Sequence, residues 1–275
     1  MKMKIILAKK IESVVAELAV AANLFLRKDV LAALKKAYLR ERNLRAKKIL
    51  KAVIDNAVYA KKEKLAICQD TGLPIVFLEI GQDVHIQGAL NAAVNRGLES
   101  GYKKAFLRKS IVKDPLLRGA SGFSPCLIHI DIVAGNKLKI TVLPKGFGCE
   151  NKSQLKMLKP TADIREIKDF IIRSVKDAGP DACPPYIIGV GIGGTADYAG
   201  VLAKKALLRK ISPRNSKLEK ELLRQINKTG IGPMGLGGIN TALAVHLKTF
   251  PTHIAGLPVS VNISCHALRS ATKVL

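Results

Sequence analysis

Cys68, Gln69 and Asp70 stand side by side in AICQDTGLPIVFLEI, with a Thr-Gly turn directly after them. They put a soft metal ligand, an amide and a carboxylate at the mouth of an apolar run. The run is either entered by an ordinary turn or opens half of an active site, where a thiolate holds metal and a carboxylate moves a proton. Cys183 lies in DACPPY, where Pro184 and Pro185 exclude helix and stiffen the loop. Cys265 follows the strand-like LPVSVNIS. These thiols are far apart in the chain, so their spacing does not itself mark a metal site. A free cysteine is also a good small apolar core residue, and Cys126, inside an alternating run, keeps that reading. Among the histidines, His85, His129 and His246 lie on alternating or apolar segments and read as structural. His253 and His266 flank Cys265 and stay in consideration.

Gly189, Gly191, Gly193 and Gly194 form a glycine-rich turn after a strand-like run and before a helical one. The order suits a dinucleotide fingerprint, but an acidic residue about 20 positions on is part of that motif. Here the corresponding stretch is basic and turn-like. Tight packing, or an anion held by backbone N–H groups, explains the glycines better.

The elements that must position these residues are legible from hydrophobic period. Ile11, Val14, Val15 and Leu18 share one helical face, and two further helical runs follow, the first with Asp29 as its expected N-cap. LPIVFLEIG then reads as a strand. A helix broken near Gly97 and Gly101 is expected next. After it, CLIHIDIVAGNKLKITVL predicts a hairpin turning at Ala134, Gly135 and Asn136. PKGFGCENKS is a glycine-rich turn opening a helix, and REIKDFIIRSVKDAG is a helix stopped by Gly179. YIIGVGIGG, a helix from Thr195, another around Lys217 to Lys228, and two strand-like runs complete the chain. The predicted class is mixed α/β: a helical N-terminal region, then mixed, partly antiparallel sheet elements and a hairpin. No boundary stands out, so residues 1–275 are read as a single domain with room for two lobes.

Composition narrows the function. The hydrophobic share, 48%, is that of a packed globule and not of a disordered chain. No apolar run is long enough for a signal-peptide core or a bilayer span, so a cytoplasmic setting and no membrane partner are expected. Five cysteines without any C-x-x-C pair argue against a disulfide framework, a zinc ribbon or a thioredoxin-type site. The net charge of +25 raises a basic nucleic-acid-binding module as a competing class. Aromatics make up only 4%, with no Trp, so base-stacking platforms are scarce, and no nucleic-acid partner is expected.

Taken together, CQDTG, LRKS, KGFGCENKS, DACPPYIIGVGIGGT, GPMGLGG and PTHIAGLPVSVNISCHALR resemble, in order and over nearly the whole chain, the α subunit of class I fumarate hydratases and L-tartrate dehydratases. The resemblance implies an iron–sulfur hydro-lyase interconverting fumarate and malate, with tartrate dehydration as the alternative. It implies a 4Fe–4S cluster held by Cys68, Cys183 and Cys265, with one iron left free of protein ligands. It casts Asp70 as an acid–base group, and Gln69, Arg108, Gly148 and His253 as contacts to a small dicarboxylate substrate. Two departures stand out: ASGFSPC replaces an Asn-Thr-Pro type segment, and Cys149 stands where the family has serine. A serine-like structural role and capping of the open iron are both open to Cys149. Because the sequence stops soon after Cys265, the resemblance further implies a separate β subunit, assembled as α2β2, without which this chain would be inactive or nearly so.

Overall fold

The computed structural model describes residues 3–212 and 214–275. In chain order the elements are β1 (Lys4–Leu7), α1 (Ala8–Leu24), α2 (Lys28–Arg40), α3 (Leu44–Glu63), β2 (Leu73–Gly81), β3 (Val84–Gln87) and α4 (Leu90–Lys104). There follow β4 (Ile111–Asp114), β5 (Arg118–Gly122), β6 (Leu127–Val133), β7 (Leu138–Lys145), α5 (Phe147–Glu150), β8 (Gln154–Leu158), α6 (Ile164–Ala178) and β9 (Tyr186–Gly194). Last come α7 (Ala196–Leu207), α8 (Lys217–Asn227), β10 (Ala242–Thr252), β11 (Leu257–Ser264) and β12 (Ala271–Val274). The fold is mixed α/β with parallel and antiparallel strand pairs. Two compact units emerge, neither continuous in sequence: Met1–Arg27, Ala57–Gly146 and Arg269–Leu275 in the first, Lys28–Asn56 and Phe147–Leu268 in the second.

In the first unit β2 is the organising strand. Its apolar run is buried almost throughout, as in a strand whose two faces are both covered. The sheet order is β12-β7-β2-β6, with β6 parallel and β7 antiparallel to β2. This corrects the expected hairpin. Both of its strands form, but β2 is inserted between them, and the turn at 134–136 passes over the end of β2. Gly81 makes that crossing possible, since a Cβ there would come within 2.2 Å of the Gly135 carbonyl oxygen. Among the described strands a true hairpin lies elsewhere, at β4–β5. The apolar face of α1 (Ile11, Val14, Val15, Leu18) packs into one core with Val76, Leu78, Ile140 and Val142 of the sheet.

Two expectations about helices are also corrected. The helix α4 runs unbroken through Gly97 and Gly101. Those glycines instead let α1 approach, because added Cβ atoms would meet the Glu12 and Ala16 carbonyl oxygens at 2.4 and 2.7 Å. Asp29 is not an N-cap: it sits inside the first turn of α2, and its carboxylate accepts the Ile211 N–H at 2.8 Å. The strand β1, which pairs with β3, was not read from the sequence. It is short and largely exposed, so it carries little periodic signal.

In the second unit the order is β10-β9-β11-β8, with β10 parallel and β11 antiparallel to β9. Ile171 and Val175 of α6 and Leu222 and Ile226 of α8 fill the core with Ile188, Val190, Val259, Val261 and Ile263 of the sheet. Asp163 caps α6, accepting the Arg165 and Glu166 N–H groups at 2.7 and 2.9 Å. The glycine-rich run is explained by packing. Cβ atoms on Gly189 and Gly191 would lie 2.1 and 2.0 Å from α7 carbonyl oxygens, so this helix crosses β9 at backbone contact. Among the described residues no helix is long and apolar enough to cross a membrane.

Candidate active site

The turn carrying Cys68, Gln69 and Asp70 joins α3 to β2 in the first unit. Cys68 and Asp70 are half-buried and Gln69 is exposed. The Asp70 carboxylate folds back to accept the Gly72 N–H at 2.9 Å. Gly72 has φ +75 and sits so close to Pro144 and Lys145 that a Cβ would meet their backbone at 2.8 Å, so only glycine closes the turn there. Thr71 next to it is held twice: its carbonyl accepts the Tyr102 hydroxyl at 2.8 Å, and its hydroxyl accepts the Arg108 N–H at 3.2 Å. Arg108, itself exposed, is thereby tied to the turn that bears Asp70. Gly146 closes over the same carboxylate, where a Cβ would come within 3.2 Å of the other Asp70 oxygen.

Cys183 and Cys265 lie in the second unit, each in a loop at a strand end. The structure joins their loops. The His266 N–H donates to the Cys183 carbonyl at 3.4 Å, and the His266 ring Nδ1 lies 3.1 Å from the same oxygen. The Ala267 N–H donates to the Cys265 sulfur at 3.4 Å. Cys149 is 5% exposed and part of the core, and its thiol donates to the Ala182 carbonyl at 3.4 Å. That contact is the serine-like, structural one of its two expected roles. Gly148 is exposed, its φ is not positive, and a Cβ would meet nothing within 4 Å. Neither strain nor crowding inside this chain demands glycine there.

His253 is not brought to the cysteine pair. It follows β10 at the end where β9 reaches Gly194, while Cys183 and Cys265 flank the opposite end, where Ser264 pairs with Ile187. Eight strand residues separate the two ends of β11, or roughly 26 Å at strand rise. His253 is exposed, and its ring Nδ1 accepts the Ala255 N–H at 3.2 Å.

The matching family model is the fumarate hydratase (Fumerase) model, and it spans residues 12–274. The chain belongs to the fumarate hydratase family. It is 43% identical to a chain of Methanocaldococcus jannaschii provisionally named L(+)-tartrate dehydratase subunit alpha, covering 96% of this chain and 97% of that one. It is 30% identical to the L(+)-tartrate dehydratase subunit alpha of Escherichia coli strain UTI89, covering 96% and 90%.

For a member of the fumarate hydratase family, an iron–sulfur cluster must be tested against the donors present. Cys68, Cys183 and Cys265 are free thiols that are half-buried, exposed and half-buried. Thiolates are the donors such clusters use, and the pinned loops of Cys183 and Cys265 suit two of the three. Among the described residues, no group of three or more His, Cys, Asp or Glu side chains stands close enough together to hold a metal ion. Cys126, by contrast, is a half-buried thiol packed against the core of the first unit, and burial pushes its pKa up to about 12.

Two residues that sequence reasoning did not single out, Arg269 and Tyr102, bind the turn that carries Asp70. Arg269 is 4% exposed and donates through Nη2 to the Asp70 carbonyl. Tyr102 is 1% exposed, and its phenol pKa is pushed up to about 12, chiefly by burial, with the charges of Arg269 and Asp70 acting in opposite directions. His266 holds the Cys183 loop. His266 was already in consideration for its place beside Cys265, and the sequence signal for Arg269 was its position closing SCHALR.

Proposed function

We propose that this chain is the α subunit of an iron–sulfur hydro-lyase that interconverts fumarate and malate. The observation that carries the reading is the family match over residues 12–274, which includes all three expected cysteine ligands. The subunit names of the relatives support a separate β partner. A second reading, dehydration of L-tartrate, is favoured by what those same relatives are named for.

In this reading Cys68, Cys183 and Cys265 hold a 4Fe–4S cluster. Bound there, the cluster supplies a Lewis-acidic iron for the hydroxyl and carboxylate of the substrate. The chain's own residues do the rest. Dehydration removes a proton from one carbon and hydroxide from its neighbour, and Asp70 is assigned to hold that proton. The Arg108 guanidinium clamps a substrate carboxylate through its planar fork, and Gln69 offers an amide to the same ligand. At Gly148 the missing Cβ leaves room for substrate beside the backbone. His253 keeps its expected role as a contact to bound substrate, reached from the end of its sheet away from Cys183 and Cys265.

The test is anaerobic reconstitution of the chain with its β partner, followed by iron counting and rate measurement on malate, fumarate and L-tartrate. About four irons per chain are expected, with loss of the cluster when Cys68, Cys183 or Cys265 becomes alanine. Asp70→Asn keeps the iron and loses turnover. Iron-free protein, or normal turnover by Asp70→Asn, overturns the respective assignment, and preference for L-tartrate selects the second reading.

A further inference from the structure

Arg269 presents a cost that its visible contact does not explain. It is 4% exposed, and its Nε has no hydrogen-bond partner among the described residues. Burying a cation with unsatisfied donors is expensive, whereas a neutral amide could hold one carbonyl at far less cost. The carbonyl it does hold is that of Asp70, 199 residues away in sequence and in the same unit. The turn is also secured by the Gly72 N–H on the Asp70 carboxylate and by the Tyr102 hydroxyl on the Thr71 carbonyl. Arg269 thus places a buried guanidinium on the backbone of this turn, and it closes the SCHALR motif, in which the proposed chemistry gives a role to Cys265 alone.

We infer that Arg269 is a positioning residue for the proposed acid–base chemistry: by gripping the Asp70 carbonyl it fixes the Cys68–Gln69–Asp70 turn in its working shape. The inference rests on the role proposed for Asp70. Arg269 touches no substrate. It acts through the backbone, so its removal misplaces the carboxylate and loosens the segment that carries Cys68. A misplacement of about 1 Å can cost about 10²-fold in rate.

The experiment compares Arg269→Met, which removes the charge and the donors, with Arg269→Lys, which keeps a cation and a donor, both in reconstituted αβ enzyme. Arg269→Met is expected to lower kcat by about 10²-fold with KM changed less than about threefold, since orientation and not affinity is lost. The bleaching of its iron–sulfur absorbance on exposure to chelator is expected to run severalfold faster. Arg269→Lys recovers at least about tenfold of the kcat loss and most of the bleaching half-life. Asp70→Asn is run in parallel. If it is inactive while Arg269→Met keeps kcat within about threefold, the inference about Arg269 fails alone. If Asp70→Asn is active, the proposed chemistry fails first, and faster bleaching in Arg269→Met then still reports on the grip over the turn. A loss confined to KM overturns the inference, as does a well-folded Arg269→Lys that recovers nothing. Should Arg269→Met not fold, Arg269→Ala, which likewise removes the charge and the donors, replaces it under the same criteria.

Discussion

At the scale of single residues, the five cysteines divide by surroundings. Cys183 is exposed, Cys68, Cys126 and Cys265 are half-buried, and Cys149 lies in the core, while the Cys126 thiol has its pKa pushed up to about 12 by burial. Reaction with an alkylating agent needs thiolate and access. With a pKa near 12, roughly one Cys126 in ten thousand is ionised at pH 8. The expected order in native, iron-free protein is Cys183 first and Cys126 and Cys149 last, the latter two reacting only as the chain unfolds. Timed alkylation read by peptide mass spectrometry checks it. Early labelling of Cys149 would place its thiol outside the core and reopen its role as a cap. The motif identified Cys149 as an oddity, but its partner, the Ala182 carbonyl, depends on how α5 meets the loop before Cys183.

At the scale of elements, glycines decide how closely backbones approach. Two opposing effects meet at Gly97 in α4. Alanine in a helix interior gains about 1 kcal/mol over glycine, but here its Cβ would sit 2.4 Å from the Glu12 carbonyl oxygen. Overpacking against backbone costs about 1–3 kcal/mol, so Gly97→Ala is expected to be net destabilising. Gly200 in α7 is the control: a Cβ there meets nothing within 4 Å, and Gly200→Ala should stabilise by about 0.5–1 kcal/mol. Denaturant midpoints of the two variants should therefore move in opposite directions. A helical pattern with two glycines reads locally as a broken helix. Only the presence of α1 on that face turns the same glycines into a packing device, and α1 is brought there by topology across 85 positions (97 − 12), not by period. The misread hairpin has the same origin: alternation and a turn specify two strands, but not that a third strand will pair between them.

At the scale of the whole molecule, the net charge of +25 dominates. Among the described residues the ion pairs include surface contacts such as Lys273 with Glu17 and Lys51 with Asp55, each worth little. Like-charge repulsion in the folded state should outweigh them. Screening shortens from about 10 Å at 0.1 M salt to about 3 Å at 1 M. The thermal midpoint is thus expected to rise as potassium chloride is raised across that range, measured by circular dichroism on the intact chain. A midpoint that falls would mean that ion pairs outweigh repulsion.

The sequence alone determined which segments are helix or strand along most of the chain, which face of α1 is apolar, and, through its motifs, which thiols and which carboxylate to examine. Those properties are encoded locally, in hydrophobic period, turn chemistry and short runs of residues. Tertiary structure alone decided that β2 parts β6 from β7, that Cys149 turns into the core, that His253 sits at the far end of its sheet, and that Arg269 grips Asp70 across 199 residues. Each of these is a pairing between distant segments. Such pairings are chosen by burying apolar faces and satisfying backbone groups over a whole unit at once, so no window of sequence contains them.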